Sequence, residues 1–282
     1  MSQKPVFRFA PSPNGALHLG HAYSALLNHA LAQRTGGRFL LRMEDIDLTR
    51  CSPALEAAML EDLEWLGLTW ETPILRQSER FAAYESALAA LHARDLLYPA
   101  FLSRNEIKAA IGDRHTWPHD PDGAAHYPGQ EKSWGTLRRN AEMQGGRPFA
   151  WRLDMAKALT LCDIKHAARW GDVLIARKEV PTSYHLAVVI DDAAQGITHV
   201  VRGRDLERAT SVHLLLQALL DLPSPIYHHH PLILDEAGEK LSKSTKATGL
   251  SALRAKGAGP ADICALIGWD DRTADIILDQ LK

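Results

Sequence analysis

The apolar side chains in the first third of the chain form short runs that alternate with helical stripes. The runs Val6–Phe9 and Arg38–Met43 are short and mainly apolar, which predicts two buried strands. Between them, apolar residues recur at the spacing of one helix face over residues 17–31. Amphipathic patterns over residues 53–66 and 78–94 predict two more helices. This alternation predicts an α/β fold with a Rossmann-type, doubly wound parallel sheet.

The remainder of the chain continues the alternation with shorter elements. Residues 96–101 predict a third strand, and residues 103–111 predict a short helix with a capping box made of Ser103 and Glu106. Buried strands are also expected at four apolar runs, residues 172–177, 185–190, 197–201 and 226–234. Helices are expected over residues 205–220, 251–256, 260–267 and 273–281.

One long stretch interrupts this pattern. Residues 112–146 are rich in Gly, Pro, Asp and His and show no helical or strand periodicity. A loop of this length inside a globular chain is usually functional or an insertion. We therefore expect a Rossmann core in two halves, residues 1–99 and 166–225, separated by an inserted domain at residues 100–165. Residues 226–282 would follow as a C-terminal segment of short helices.

Composition narrows the class of protein. The chain has 282 residues, of which 46% are hydrophobic and 23% charged, as is typical of a globular protein. No apolar run is long enough for a membrane span, and the N-terminus lacks the apolar core of a secretion signal. Three dispersed cysteines fit a reducing compartment, so a cytoplasmic protein is expected. With a net charge of −2, any nucleic-acid partner must be bound by local basic patches.

The segment from Val6 to His21 combines a strand, a turn broken by proline and glycine, and a helix start. His18 and His21 are three residues apart at that helix start, so they share one face of the helix. Backbone N–H groups and the helix dipole suit such a position to phosphate, and Arg8 adds a guanidinium for a carboxylate. Taken one residue at a time, the segment would be an ordinary strand-turn-helix unit with a histidine-rich cap.

Two short motifs connect this chemistry with a known family. The tetrapeptide HLGH at residues 18–21 resembles the HIGH signature of class I aminoacyl-tRNA synthetases. The preceding RFAPSPNG resembles the opening of glutamyl- and glutaminyl-tRNA synthetases. The pentapeptide KLSKS at residues 240–244 resembles the KMSKS loop and follows in the order that the family requires. The chain is therefore similar to these synthetases over essentially its whole length.

The resemblance implies an ATP site. ATP with its Mg²⁺ would be held by six residues, His18, Gly20, His21, Lys240, Ser242 and Lys243. The two histidines and Lys243 would be catalytic, since Lys243 would reach the leaving pyrophosphate as charge develops there. A carboxylate would attack the α-phosphorus of ATP. The protein would promote this step mainly by positioning the reactants and stabilising charge, with little covalent catalysis. The other interpretation of KLSKS is a solvated basic loop.

The resemblance also implies a pocket for glutamate. The segments RMEDIDLTR and SYHLAVVIDDAAQGITHVVRGRDL are similar to segments of the glutamyl synthetases. The pocket would be formed by Arg8, Phe9, Ala10, Pro11, Ser12, Glu44, Tyr184 and Arg202. Glu44 would hold the α-amino group, while Arg8 and Arg202 would offer two guanidinium groups to a substrate with two carboxylates. This favours glutamate over glutamine, because a neutral amide would leave a buried cation uncompensated.

The predicted insertion departs from its relatives at a metal site. Relatives carry a Cys-x-Cys after the corresponding strand, then a Tyr and another Cys, and these residues bind structural zinc. Here the cysteine positions correspond to Ala100, Leu102 and a residue near Glu131, while Tyr127 is present. Alanine and leucine cannot coordinate zinc, so neither structural zinc nor another protein metal site is expected. A minor alternative is an improvised site made of three loop histidines, His115, His119 and His126.

The last residues of the chain bear on the subtype. Only 38 residues follow Ser244, too few for the helical anticodon-binding domain of glutamyl-tRNA synthetases. The chain therefore resembles the truncated glutamyl-Q tRNA(Asp) synthetases, which attach glutamate to queuosine in the anticodon loop of tRNA(Asp). The implied partners are L-glutamate, ATP and that anticodon stem-loop, with no membrane, and a monomer is expected. Alternatives are a short glutamyl-tRNA synthetase that charges a tRNA 3′ end, a catalytically silent tRNA-binding paralogue, and another HIGH-type nucleotidyltransferase.

Overall fold

The structure, a computed structural model, describes residues 4–113, 115–234, 249–270 and 272–281. Its strands are β1 (Val6–Phe9), β2 (Arg38–Met43), β3 (Glu71–Arg76), β4 (Leu97–Ala100), β5 (Ala150–Leu153), β6 (Leu174–Ala176), β7 (His199–Gly203) and β8 (Ile226–His230). Its α-helices are α1 (Leu19–Thr35), α2 (Pro53–Trp65), α3 (Phe81–Ala93), α4 (Arg104–Ile111), α5 (Thr136–Gln144), α6 (Met155–Leu161), α7 (Tyr184–Ala194), α8 (Thr210–Leu219), α9 (Leu250–Ala255), α10 (Pro260–Leu266) and α11 (Arg272–Leu281).

The chain divides into two compact units. Unit 1 comprises Met1–Glu79, Ala194–Glu207 and Pro225–Lys282, and unit 2 comprises Arg80–Ala193 and Arg208–Ser224. The domain boundaries predicted from the sequence stay predictions. No helix within the described residues is long and apolar enough to cross a membrane.

Unit 1 is built on parallel strands. β1, β2 and β3 pair in that order, and β7 pairs with β8, all in parallel. β7 also lies against β1, where the Thr198 N–H donates to the Val6 carbonyl over 3.1 Å. The strands therefore follow the order β3-β2-β1-β7-β8, with the winding reversing at β1. This confirms the predicted doubly wound α/β fold, in which ligands bind beyond the carboxyl ends of the strands at such a reversal.

Helix α1 is the central helix of unit 1. It buries Ala25, Leu27 and Leu31 in the apolar core beside β1 and β2, and it ends at Gly36, whose φ of +60° suits glycine. Asn28 is fully buried on the same helix, and its Nδ2 donates to the Ser24 carbonyl over 2.8 Å and to the Val201 carbonyl over 2.9 Å. The second of these bonds ties α1 to β7.

Unit 2 is built on an antiparallel sheet. β4, β5 and β6 pair in that order, with Leu97 opposite Leu153 and Ala100 opposite Ala150. The helices from α3 to α8 belong to this unit, apart from the last residue of α7. Asp172 is nearly buried here and accepts hydrogen bonds from Tyr98 Oη over 2.8 Å and from the Met155 N–H over 3.0 Å. Buried polar side chains thus bind one another within this unit.

Several predicted elements are confirmed closely. β1, β2, α1 and α2 occur where the apolar pattern indicated, and the three C-terminal helices α9, α10 and α11 are present. The capping box of α4 is also present, since Ser103 Oγ accepts the Glu106 N–H and the Glu106 carboxylate accepts the Ser103 N–H. These elements carry strong local signals at their ends.

The third parallel strand was assigned wrongly. Residues 96–101 do form a strand, β4, but it pairs antiparallel with β5 in unit 2. The third strand of the parallel sheet is β3, which the prediction missed. Its sequence ETPILR carries a proline, which argues against a central strand but is tolerated at a sheet edge.

The prediction of a strand at residues 185–190 was also wrong, because these residues lie in helix α7. Leu186, Ala187, Val188 and Val189 are all buried, so the helix has no polar stripe over this stretch. An apolar run of this kind cannot be distinguished from a buried strand by periodicity. Likewise, residues 112–146 contain a short helix, α5, and the helix expected from residue 205 begins at Thr210 as α8.

Candidate active site

The first part of the site is the N-terminus of α1, where two histidines cap the helix. His18 is the N-cap residue with an extended backbone, and its Nδ1 accepts the Gly20 N–H over 3.1 Å. His21 lies in the first turn, and its Nδ1 accepts the His18 N–H over 3.1 Å. The two rings have centroids 3.8 Å apart. Two imidazoles therefore form the reciprocal cap that serine and glutamate usually make.

This cap determines which ring nitrogen carries the proton. A nitrogen that accepts a backbone N–H carries no proton, so a neutral ring holds its proton on Nε2. His18 and His21 are therefore both Nε2–H donors, and both side chains are partly exposed. Gly20 permits the arrangement, because a Cβ there would lie 3.1 Å from Cε1 of His18. With no acidic residue in the first turn, this helix start suits an anionic oxygen.

The second part of the site is the strand and turn before α1. Arg8 is only 5% exposed on β1, next to Phe9, whose side chain packs in the apolar core of unit 1. Ala10 is partly buried, and the Pro11 carbonyl accepts the Glu44 N–H over 2.9 Å. The Ser12 Oγ lies 3.8 Å from the Cys51 Sγ. The turn is thus bound by its backbone to the residue that follows β2.

Glu44 is held by a fully buried arginine. Arg42 on β2 donates from Nη2 to Glu44 Oε1 over 3.1 Å and from Nη1 to Gln195 Oε1 over 3.0 Å. The Glu44 side chain is 14% exposed. A carboxylate oriented by a buried guanidinium is fixed in direction, which suits it to an ammonium group.

The third part of the site is Arg202 on β7, which is 5% exposed. Its Nε donates to His229 Nε2 over 3.4 Å, and its Nη2 donates to the Leu206 carbonyl over 3.1 Å. His229 lies directly opposite on β8, and the Tyr227 ring lies 5.3 Å from the guanidinium carbon. Arg8 on β1 and Arg202 on the neighbouring β7 therefore place two buried cations on adjacent strands.

His229 is kept neutral beside this arginine. Burial, and then the positive charge of Arg202, lower the pKa of His229 to about 4. Burial also lowers the pKa of the two flanking histidines, His228 and His230. At neutral pH, His229 can therefore accept the Arg202 hydrogen bond without adding charge to the site.

Tyr184 is the predicted pocket residue that belongs to unit 2. It is the first residue of α7, with its ring centroid 5.6 Å from that of the buried His213. A cavity of about 290 Å³ lies within unit 2 and is lined by Tyr184, Trp170, Tyr127 and Arg152, among others. Tyr184 thus forms one wall of an aromatic and cationic cavity in its own unit.

The predicted Lys240, Ser242 and Lys243 lie outside the described residues. The described chain resumes at Gly249, and the next residue, Leu250, contacts the segment just before α1. The Leu250 N–H donates to the Leu17 carbonyl over 2.7 Å, one residue before His18. A Cβ at Gly249 would lie 2.9 Å from the Cβ of Ala16, so the approach of the two segments is close.

Comparison with known proteins identifies the family. Residues 5–278 match the family described as tRNA synthetases class I (E and Q), catalytic domain. The chain belongs to this synthetase family. It is 48% identical to a glutamyl-Q tRNA(Asp) synthetase of Rhodobacter capsulatus, over 93% of this chain and 99% of that relative. A protein of the same name from Nocardia farcinica is 40% identical, over 92% of this chain and 82% of the relative.

Two solved structures of glutamate-tRNA synthetases are also similar to this synthetase. A glutamate tRNA ligase from Elizabethkingia meningosepticum, solved in complex with its amino acid, matches with a TM-score of 0.75 and 25% identity. The match covers 94% of the present chain and 60% of that structure. A glutamate-tRNA synthetase from Elizabethkingia anophelis matches with a TM-score of 0.71 and 26% identity, over 86% of this chain and 53% of the other. The synthetase thus spans somewhat over half the length of these solved chains.

The synthetase brings most of its predicted site residues together in unit 1. Arg8, Glu44 and Arg202 lie at or just beyond the carboxyl ends of β1, β2 and β7, and the two histidines lie at the N-terminus of α1. In the described part of the synthetase, no group of three or more His, Cys, Asp and Glu side chains is arranged to hold a metal ion. The three loop histidines, His115, His119 and His126, therefore do not form such a group. The expectation that no zinc is bound stays a prediction.

Sequence reasoning missed two residues that orient the site of the synthetase. Arg42 fixes Glu44, and Asn28 ties α1 to β7. The only available signal for each was a polar residue at a position where the apolar pattern expects a buried side chain. The role of His229 as the acceptor for Arg202 was missed as well.

Proposed function

We propose that this synthetase activates L-glutamate with ATP and transfers it to queuosine in the anticodon loop of tRNA(Asp). The observation that carries the proposal is the similarity, over almost the full length of both chains, to a relative that bears this name. The reaction would take place in the cytoplasm, in keeping with three dispersed cysteines that form no disulfide in the structure. We expect the enzyme to act as a monomer.

The two buried arginines support glutamate as the amino acid. A guanidinium is always charged, and its preferred partner is a carboxylate bound through two parallel hydrogen bonds. Arg8 and Arg202 lie on neighbouring strands, while Glu44 is fixed by Arg42 and suits the α-amino group. Glutamate supplies two carboxylates and one ammonium, which matches this set of charges. Glutamine supplies only one carboxylate, so the site would discriminate against it.

In the activation step, a carboxylate oxygen of glutamate attacks the α-phosphorus of the bound Mg²⁺–ATP. The bond to the pyrophosphate oxygen breaks, which gives glutamyl-adenylate and pyrophosphate. The Nε2–H groups of His18 and His21 would donate to phosphate oxygens at the start of α1. We assign Lys243 to the charge that develops on the pyrophosphate.

In the transfer step, a hydroxyl of the cyclopentene ring of queuosine attacks the carbonyl carbon of the mixed anhydride. An ester forms, the bond between the carbonyl carbon and the phosphate oxygen breaks, and AMP leaves with the hydroxyl proton transferred to solvent or phosphate. The assignment of Tyr184 to the glutamate rests on the resemblance to the glutamyl synthetases. Positioning supplies most of the rate enhancement in both steps.

The proposal is tested in two stages. ATP–pyrophosphate exchange is measured with glutamate, glutamine and aspartate, and glutamate alone should support rapid exchange. Radiolabelled glutamate is then offered to tRNA(Asp) with queuosine, to the same tRNA with unmodified guanosine, and to tRNA(Glu). Label should enter only the queuosine-containing tRNA(Asp).

The alternatives give different results. A short glutamyl-tRNA synthetase would label queuosine-free tRNA(Glu), at its 3′ end. A catalytically silent paralogue would bind tRNA without any glutamate-dependent exchange. Either result would overturn the proposed reaction.

A further inference from the structure

A fully buried carboxylate in unit 2, that of Glu131, lies near the position where the resemblance to the glutamyl synthetases predicts a zinc-binding cysteine. Glu131 Oε1 accepts the Phe101 N–H over 3.1 Å and the Tyr127 hydroxyl over 2.5 Å. The Tyr127 Oη itself accepts the Leu102 N–H over 3.2 Å. One carboxylate and one phenol therefore bind two successive backbone N–H groups just after β4.

The residues at this position do not fit a zinc ion. Four positions correspond to the zinc ligands expected from the resemblance. Ala100 and Leu102 present only carbon there, so Tyr127 and Glu131 are the two that have an atom able to coordinate a metal ion. Tetrahedral structural zinc takes four ligands, drawn mainly from cysteine and histidine. Tyr98, Ala100 and Tyr127 form a small apolar cluster here, with Leu102 and Ile107 packed against it. The ligand set for a zinc ion is therefore incomplete.

We propose that Glu131 takes the place of the structural metal ion by tying residues 101–102 to residues 127–131. A structural zinc contributes to folding by holding distant segments together. Hydrogen bonds to a carboxylate are stronger than neutral ones, and an apolar surround strengthens them further. We call this arrangement the Glu131 tie, consisting of Glu131, Tyr127 and the N–H groups of Phe101 and Leu102.

Neighbouring contacts hold the Glu131 tie in position. Arg139 of α5 donates from Nε to the Glu131 carbonyl over 3.0 Å and from Nη2 to the Lys132 carbonyl over 2.6 Å. The Lys132 Nζ lies 2.8 Å from Asp172 Oδ2, so the next residue is anchored to a second buried carboxylate. The Arg152 guanidinium carbon lies 4.4 Å from the centre of the Tyr127 ring. The segment after Tyr127 is therefore fixed by the backbone, by charge and by packing.

The first test is stability of the full chain without added metal. Glu131→Ala should lower the Tm by roughly 5–10 °C, since it leaves the Phe101 N–H and the Tyr127 hydroxyl buried and unsatisfied. Tyr127→Phe, which keeps the ring and removes both phenol hydrogen bonds, should lower the Tm by a smaller amount. The matched control is Glu85→Ala on the exposed face of α3, which should leave the Tm unchanged. An unchanged Tm for Glu131→Ala would overturn the proposal.

The second test is metal binding. The wild-type protein should contain far less than one zinc per chain by elemental analysis, and a chelator should leave its Tm unchanged. The triple variant Ala100→Cys/Leu102→Cys/Glu131→Cys should bind one Co²⁺ per chain with thiolate–cobalt absorption bands, and Zn²⁺ should raise its Tm. One tightly bound zinc in the wild type, or a folded triple variant without cobalt bands, would overturn the proposal. These readouts do not depend on which reaction the enzyme catalyses.

Discussion

The histidine cap of α1 and the Glu131 tie use the same physical device for different ends. In both, side chains accept backbone N–H groups that would otherwise lack partners. The capping imidazoles are partly exposed, and each has a second ring nitrogen that is a donor. The Glu131 carboxylate is completely buried and binds Tyr127, a member of the apolar cluster beside β4. Both histidines thus carry a donor at a partly exposed position, which the proposed contact with ATP requires, whereas the Glu131 carboxylate is enclosed.

The largest effect should come from a substitution that keeps the cap and removes the donor. His18→Asn retains a side chain that caps helices well, but it lacks the Nε2–H. The rate of glutamate-dependent ATP–pyrophosphate exchange should fall by about 10²–10³-fold, the usual cost of one transition-state donor. The Tm should change little. A variant with nearly the wild-type exchange rate, or with a sharply lower Tm, would show that His18 is structural, like Glu131.

The next largest effect should come from the buried arginine of β7. Arg202→Ala should raise the KM for glutamate by about 30–100-fold, because a buried charge-assisted pair is lost. It should also reduce the preference for glutamate over glutamine. Arg204→Ala is the control, since Arg204 is exposed and pairs only distantly with Glu207, at 3.8 Å. Equal KM values for the two variants would contradict a glutamate contact by Arg202.

The third prediction concerns a buried contact within unit 1, the hydrogen bond from Asn28 to the Val201 carbonyl. Asn28→Leu leaves the buried Val201 carbonyl without its Nδ2 donor, which should lower the Tm by about 3–10 °C. His29→Leu, one residue along the same helix and partly exposed, serves as the control. Thermal unfolding followed by circular dichroism measures both. If both variants unfold at the wild-type temperature, the tie between α1 and β7 contributes no stability.

The smallest effect should be a dependence of stability on pH through His229. In the unfolded chain this ring protonates near pH 6.5, whereas in the folded protein it stays neutral until about pH 4. The unfolded state therefore binds more protons between pH 6.5 and 4, so stability falls as pH is lowered through that window. His29, His199, His228 and His230 shift in the same direction, so the wild type alone is not diagnostic.

The diagnostic measurement for His229 is the variant His229→Gln, whose amide oxygen can still accept from Arg202. Its loss of Tm between pH 6.5 and pH 4 should be smaller than that of the wild type, by about 2–5 °C. Identical pH profiles for the two proteins would show that His229 does not contribute to the acid sensitivity.

Unit 1 was more predictable than unit 2, for physical reasons. β1, β2 and α1 combine a period in the apolar residues with clear end signals, and the HLGH motif lies at one of those ends. In unit 2, α7 has no polar stripe over its apolar stretch, so the local pattern predicted a strand there. The exception in unit 1 is β3, which contains a proline and was missed. Both depend on what surrounds the segment in space.

The chemistry of the site was predictable only in part. The positions of Arg8, His18 and Arg202 followed from motifs, but the tautomers of the histidines depend on backbone N–H groups whose directions only the fold determines. Arginine is a residue type that is rarely fully buried, and only the fold shows that the Arg42 side chain is. Glu131 was visible only as the place of a missing cysteine. Its contact with Phe101 joins segments 30 residues apart, which no local pattern encodes.

The hydrogen bond between the Leu250 N–H and the Leu17 carbonyl has a consequence for how the enzyme is made. The histidine signature is among the first parts of the chain to be synthesised, yet its neighbour in space is translated more than two hundred residues later. At ordinary elongation rates this separation is on the order of 10–50 s. The N-terminal half of the active site therefore leaves the ribosome long before it can be completed. During translation, the nascent enzyme should stay inactive until its C-terminal helices have emerged.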